Sequence, residues 1–233
     1  MKVVLSRKGM DSRAGGIPSP ILPDGMLLSL PIPNEKSGVP YDALVYKGRT
    51  YQQIIQQIHP TFDFQKHPFC HLDPDIYGVL KNKPAGWKPA FGQYEIPAKH
   101  LDGQGVDVGD VFLFYGMFRQ TEELPDGTFH FKKGAPTQHI IYGYMVVSEI
   151  LKDQDKIKEL YPWHPHAAST NHPDNRLYLA TDYGVFKNSD SLLLSKPGQP
   201  NRRLWNLTAF SVMMTKNKRV KHEADVARYI KVS

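Results

Sequence analysis

Apolar positions in this chain come in short runs separated by glycine and proline, and only a few runs are long enough to define an element. Val3-Val4-Leu5 fits a buried strand, and the apolar run from Met26 to Ile32 supplies its partner, so the chain is expected to open on a pair of strands. Thr50 and Gln53 form a capping box. The face made by Tyr51, Ile54, Ile55 and Ile58 then predicts a helix that ends before Pro60. From Thr61 to Pro97 the pattern is proline-rich, aromatic and irregular, which reads as a long loop. The near-continuous run Val111 to Phe118, entered through a turn at Val106 to Asp110, predicts a central strand. A polar hairpin, Glu122 to Lys133 with Asp126-Gly127 at its tip, leads to a second long strand at Gln138 to Ile150. Gly116 and Gly143 fall inside these strands, where a sharply curved sheet needs relief from side-chain crowding. Downstream, Asp153 to Leu160 reads as a short helix with Ile157 and Leu160 inward. Leu177 to Thr181 is a strand, Asp182-Tyr183-Gly184 a turn, and Leu192 to Leu194 another strand.

The predicted class is therefore α+β, β-rich, with short helices and long irregular loops. With 233 residues the chain can bury a proper core, and it is read as one domain over 1–233. Nineteen prolines and eighteen glycines keep its helices short.

Charge and cysteine usage narrow the function classes. A formal charge of +6 is compatible with a polyanionic partner, and basic residues cluster at Arg7-Lys8, Lys132-Lys133, Arg202-Arg203 and Lys216 to Lys221. A solvated face explains any one cluster equally well. The single cysteine, Cys70, leaves no intrachain disulfide and no multi-thiolate zinc site, and is expected to be a buried structural thiol. The first residues carry no apolar signal core and no run is long enough for a membrane span, so a cytoplasmic location without membrane contact is expected.

Candidate chemistry gathers in the opening loop. Between Ser6 and Arg13 stand two hydroxyls (Ser6, Ser12), three cations (Arg7, Lys8, Arg13) and one carboxylate, Asp11. Gly9, Gly15 and Gly16 permit close backbone approach, so the set suits a phosphate, with Asp11 orienting a cation. A solvated basic turn is the competing reading. His71-Leu72-Asp73-Pro74-Asp75 is the one compact set with metal-ligand chemistry, because alternate positions of an extended segment share a side. A solvated acidic turn at Pro74 accounts for it equally well, and no metal is predicted. The histidine-rich loop Trp163-His164-Pro165-His166 and Asn171-His172-Pro173-Asp174 could complete a metal site with His71, but with two prolines and free solvent its histidines are read as ordinary loop residues. Arg202 and Arg203 beside Trp205 suit phosphate contact and base stacking, or else Trp205 caps the core. No P-loop, dinucleotide fingerprint, nucleophile elbow or zinc-deaminase set is present.

Two resemblances sharpen this picture. The run Val108-Gly109-Asp110-Val111-Phe112-Leu113-Phe114-Tyr115, followed by Ile141-Tyr142-Gly143-Tyr144-Met145-Val146-Val147, resembles the core of PUA-like barrels, the group holding the ASCH and EVE domains. That implies a barrel core around residues 94–150 that binds nucleic acid and holds a modified base. Ser6-Arg7-Lys8-Gly9-Met10-Asp11-Ser12 and Gly15-Gly16-Ile17-Pro18-Ser19-Pro20-Ile21-Leu22, together with the Gly109-Asp110 strand and Arg119, resemble the nucleotide modification associated domain 3 family over nearly the whole chain. That implies a place in the DNA base modification systems of bacteria and phages, including phage defence. It implies no particular reaction.

The expected partner is DNA or a nucleotide, with the cofactor open. Ser6, Arg7, Lys8, Ser12, Gly15 and Gly16 would hold phosphate, with Arg119 and Arg202 as further cations. An aromatic from Trp87, Tyr115 or Trp205 would stack on a base, and Asp11 would bond the base or fix Arg7. As an enzyme, the same loop would use Asp11 as acid or base and Lys8 to neutralise charge, with His71 or His139 assisting proton transfer. A scaffold that binds protein through its aromatic loops is the third reading.

Overall fold

The computed structural model describes residues 1–169, 172–199 and 201–206; the basic stretch Lys216 to Lys221 and the segment Glu223 to Tyr229 lie outside them. The strands are β1 (Val3–Arg7), β2 (Ser19–Ile21), β3 (Val45–Tyr46), β4 (Arg49–Thr50), β5 (Ala90–Gln93), β6 (Val111–Glu123), β7 (Phe129–Phe131), β8 (Thr137–Leu151) and β9 (Arg176–Val185). The helices are α1 (Tyr51–Ile58), α2 (Glu95–Gly103) and α3 (Gln154–Leu160), and short 3-10 turns lie at Tyr41–Ala43, Pro165–Ser169 and Asp190–Leu192.

The long apolar runs become the two central strands. β6 and β8 pair antiparallel from Val111↔Val146 to Arg119↔Thr137, and the polar excursion between them carries β7 back onto β6 around the Asp126-Gly127 tip. The main sheet has the order β1-β6-β8-β9-β5, with β2 also on β6. β1 and β2 run parallel to β6, whereas β8, β9 and β5 alternate antiparallel.

This sheet is open and mixed, so the expected PUA-like barrel is not formed among the described residues. Closure would require β5 to pair with β1, and these two strands are the opposite ends of the order. β1 is accordingly a half-buried edge strand rather than a fully buried one. Its expected partner at Met26 to Ile32 is extended but makes only isolated bridges, and the regular pairing falls upstream at Ser19–Ile21. Asp182 to Gly184 continues β9 against β8 instead of turning. Leu192 to Leu194 forms a 3-10 turn and one bridge instead of a strand. Leu160 is exposed, while Ile157 is buried as expected.

The capping box at α1 is fully made: Thr50 Oγ1 accepts from the Gln53 N–H at 3.1 Å and Gln53 Oε1 accepts from the Thr50 N–H at 2.8 Å. Thr50→Ala should therefore cost about 1 kcal/mol, roughly 2–4 °C in Tm, in a thermal melt. A melt coincident with wild type would show that the box adds nothing to α1. Helix α2 begins inside the stretch read as irregular. Pro97 is its third residue, where the missing N–H would have had no intrahelical acceptor.

Two cores flank the segment Cys70 to Val79. One is the sheet core, with Phe91, Phe112, Phe114, Tyr142 and Tyr178 in edge and stacked ring contacts. The other gathers α1, the opening loop and the 3-10 turn through Met10, Leu28, Tyr41, Tyr51, Ile55 and Cys70. Cys70 is fully buried, and desolvation pushes its thiol up, as befits a structural cysteine. Leu72 belongs to the second core and Ile76 to the first, so Asp73 is held at the seam between them. Among the described residues no helix is long and apolar enough to cross a membrane.

Candidate functional site

Lys8 is placed by the end of β1. Its N–H donates to Tyr115 O at 2.9 Å, beside a register shift in β6 between Phe114 and Tyr115. A Cβ on Gly116 would lie 2.9 Å from Lys8 O, so glycine there admits the close passage of the loop. Gly9 follows at φ +84°, with Ser29 Oγ only 2.6 Å from where its Cβ would be. The turn sends the Lys8 ammonium inward, 4.2 Å from the centre of the Phe91 ring and 2.9 Å from Asp73 Oδ2.

Asp73 is the centre of the site. Its side chain is wholly buried, and Oδ1 accepts the Gly92 N–H of β5 at 3.0 Å. His71 Nδ1 and His166 Nε2 each stand 3.9 Å from Oδ2, and His164 Nε2 stands 3.7 Å from Oδ1. Desolvation works against the Asp73 anion, but the Lys8 ammonium and the His164 ring outweigh it and hold the carboxyl well below the usual range. Desolvation also lowers His71 to about 4 and His166 to about 3, so both rings are neutral at pH 7.

A cavity of about 240 Å³ opens above this centre, lined by Arg7, Lys8, His71, Asp73, Tyr77 and Tyr142 among others. This is below the roughly 300–1,000 Å³ of typical ligand pockets, so its occupant would be small. Tyr77 and Tyr142 stack nearly parallel, 6.0 Å between centroids and 6° between planes. Tyr51 also lines the cavity; it is 1% exposed, and its hydroxyl has no hydrogen-bond partner among the described residues.

The opening loop is thus at the site, but its residues divide. Arg7, Lys8, Gly9 and Asp11 reach the cavity, while Ser6 lies in β1 and Ser12 is exposed, neither among the cavity's lining. Gly15 and Gly16 serve the turn with φ +85° and +79°. Asp11 fixes Arg7, one of the two places expected of it. Oδ1 accepts from the N–H groups of Arg13 and Ala14 at 2.6 and 3.0 Å, and Oδ2 pairs with Arg7 at 2.5 Å. Desolvation would raise this carboxyl, but those N–H groups and Arg7 hold it below the ordinary value, an anion committed to closing the loop. Trp87 is elsewhere, packed near Trp163 with Lys83 over its ring, and Arg119 lies on Phe131 and donates to Lys132 O.

Trp205, Arg202 and Arg203 gather with His139 and Tyr115 in a cluster outside the cavity's lining. Trp205 packs edge-on to Tyr115 at 5.1 Å and donates from Nε1 to His139 Nδ1 at 3.0 Å. His139 is lowered to about 4 by desolvation and by the nearby Arg7, Arg202 and Arg203, so Arg7 belongs electrostatically to both the cavity and this cluster.

The solvated readings of the middle loops are corrected. Asp73, Asp75, His164 and His166 are all buried, because the pairing of β5 with β9 brings the loop before β9 onto the Asp73 segment. Gly92 and Asn175, which hold Asp73 and His166, carry no motif and were not legible from spacing. A Cβ on Gly92 would fall 2.2 Å from the His166 ring.

No curated protein and no solved structure matches the chain. The family described as nucleotide modification associated domain 3 matches residues 2–231, which is nearly the whole sequence and includes the opening loop, the Asp73 segment and the histidine loop alike. The chain belongs to the nucleotide modification associated domain 3 family.

Proposed function

We propose that the cavity receives a single nucleotide, or one base turned out of a DNA strand, and that the chain processes it at the Lys8–Asp73 centre. The observation that carries this reading is the buried ion pair at the floor of a cavity. A charge pair taken out of water is costly to keep, and perturbed titratable groups in a cleft are commonly functional. Arg7 at the mouth suits a phosphate, and Tyr77 with Tyr142 offers aromatic surface to a base. Lys8, fixed by Asp73, presents positive charge to negative charge developing on the occupant. The flanking strand would run over Tyr115, Trp205, Arg202 and Arg203, where stacking and phosphate contacts tolerate any sequence.

The Tyr51 hydroxyl gives this reading a sharp test. A buried hydroxyl without a partner costs roughly 1–3 kcal/mol, which an occupant offering an acceptor or donor would recover. Tyr51→Phe should leave the Tm unchanged or slightly higher, yet weaken nucleotide binding about 5–10-fold in a titration at fixed salt. Binding as tight as wild type would remove Tyr51 from the site. Digestion of DNA incubated with the protein, followed by mass measurement of its nucleosides, separates processing from recognition. A changed mass, lost in Asp73→Asn, supports processing. Unchanged nucleosides with tight binding would make the chain a reader of the base.

A further inference from the structure

His71 Nδ1, an Asp73 carboxylate oxygen and His166 Nε2 all lie within 4.8 Å of one another. We propose that these three side chains bind a divalent first-row transition metal ion at the floor of the cavity. The site shares Asp73 with the proposed working centre, but the ion would bind there with or without a nucleotide. Two imidazoles and one carboxylate are the donors that zinc, iron(II) and cobalt(II) take, and three protein ligands beside a cavity leave positions for water or substrate.

The hydrogen bonds around His166 point the same way. Its Nδ1–H donates to Asn175 Oδ1 at 2.7 Å. The orientation of that amide is set in turn, because Asn175 Nδ2 donates to Gln154 Oε1 at 2.8 Å and to His166 O at 3.0 Å. The proton is therefore on Nδ1, and the Nε2 lone pair faces the Asp73 carboxylate 3.9 Å away. That lone pair and the carboxylate form a donor pair that a metal cation can bridge in place of the Lys8 ammonium. Fixing one ring nitrogen through an outer amide is also how ligating histidines are oriented.

His164 is excluded by the same reasoning. Its Nδ1 accepts the His166 N–H at 3.2 Å and its Nε2 donates to Ala90 O at 3.2 Å, so both nitrogens are used in the framework. Lys8 Nζ holds Oδ2, the same Asp73 oxygen that faces both rings, so the ion has to displace the ammonium from it. Ligand atoms on a tetrahedral ion at about 2.0 Å would be roughly 3.3 Å apart. The two 3.9 Å distances to Asp73 need a contraction of about 0.6 Å, and the distance between the two rings, within 4.8 Å, one of up to about 1.5 Å; His71 is the most exposed of the three ligands and has the most room to move.

The test is anaerobic titration of the chelator-stripped full chain with cobalt(II), followed by visible absorption and calorimetry, with zinc(II) as competitor. Wild type should take up one equivalent with ligand-field bands that zinc abolishes. His71→Gln, at a partly exposed position that should tolerate it, and His166→Gln should each weaken binding about 100-fold or more, and Asn175→Ala about 10–100-fold. His172→Gln, at a partly exposed histidine paired with Glu95 outside the ligand set, should bind as wild type. Failure of wild type to bind cobalt or zinc at millimolar concentration, or wild-type binding by folded His71→Gln, would overturn the site. Nucleoside conversion without metal binding would sink the ion alone, and metal binding without nucleotide binding would sink only the proposed function.

Discussion

Lys8→Met, measured in EDTA at pH 7, should lose roughly 3–5 kcal/mol of unfolding free energy, because it leaves the Asp73 carboxylate buried with no full positive charge beside it. The ammonium is 2.9 Å from Oδ2, and the groups remaining around the carboxylate are the Gly92 N–H and three imidazoles. In wild type the folded pKa of Asp73 lies below its unfolded value near 3.9, so its contribution is complete above that pH and is lost only as pH falls through the folded pKa. In the variant, desolvation is no longer opposed by the ammonium, and the folded pKa moves up. The folded variant then binds a proton more readily than the unfolded chain does.

The deficit should therefore shrink as pH falls from 7 to 5, whether the proton settles on Asp73 or on His71 as a replacement cation. His71 and His166 are depressed in wild type as well, which lowers the stability of both proteins below pH 6.5. The difference between the two unfolding curves is thus the quantity to follow. Adding Asp73→Asn should restore most of the loss, since the neutral amide it introduces can still accept the Gly92 N–H, giving a coupling of at least about 2 kcal/mol. A single variant within 1 kcal/mol of wild type, or a deficit constant with pH, would mean that the pair does not carry this charge balance.

The same centre shows which features a sequence displays and which it hides. The two long strands, the hairpin tip and the capped helix are local, each announced by a periodicity or a turn residue, and each stands where expected. Sheet closure is not local. The near-continuous apolar run Val111 to Phe118 serves an open sheet as well as a barrel; which one forms depends on which strands join at its edges, here β1 and β2 in parallel on β6. His71 and Asp73 stood out by chemistry, yet an irregular proline-rich segment carries no period from which burial can be read. Only the two cores packing on either side of Cys70 to Val79 bury it. His166 lies 93 positions from Asp73 in sequence, and its partner Asn175 sits in a turn that any polar residue could fill. Asp11 was legible by its charge beside Arg7, which it fixes, whereas its bonds to the Arg13 and Ala14 N–H groups, which close the loop, follow from a local turn that no spacing announces.

Gly92→Ala should damage both the fold and the Asp73 centre. The N–H of residue 92 holds Asp73 Oδ1, while the missing side chain makes room for His166, whose Cδ2, Cγ and Nε2 would lie 2.2, 2.4 and 2.6 Å from an added Cβ. The ring cannot simply retreat, because Asn175 holds its Nδ1 and Gln154 holds Asn175. Either β5 shifts and the bond to Asp73 is lost, or His166 leaves its place. Overpacking of this kind costs about 3 kcal/mol, and both outcomes dismantle the ligand set. Chemical unfolding of Gly92→Ala should show that loss, and cobalt binding should be abolished. His166→Ala in the same chain removes the clash, so the double variant should recover stability while still failing to bind metal. Stability regained together with metal binding would show that His166 was only in the way, whereas an unperturbed Gly92→Ala would mean that β5 and the histidine loop are farther apart than the packing requires.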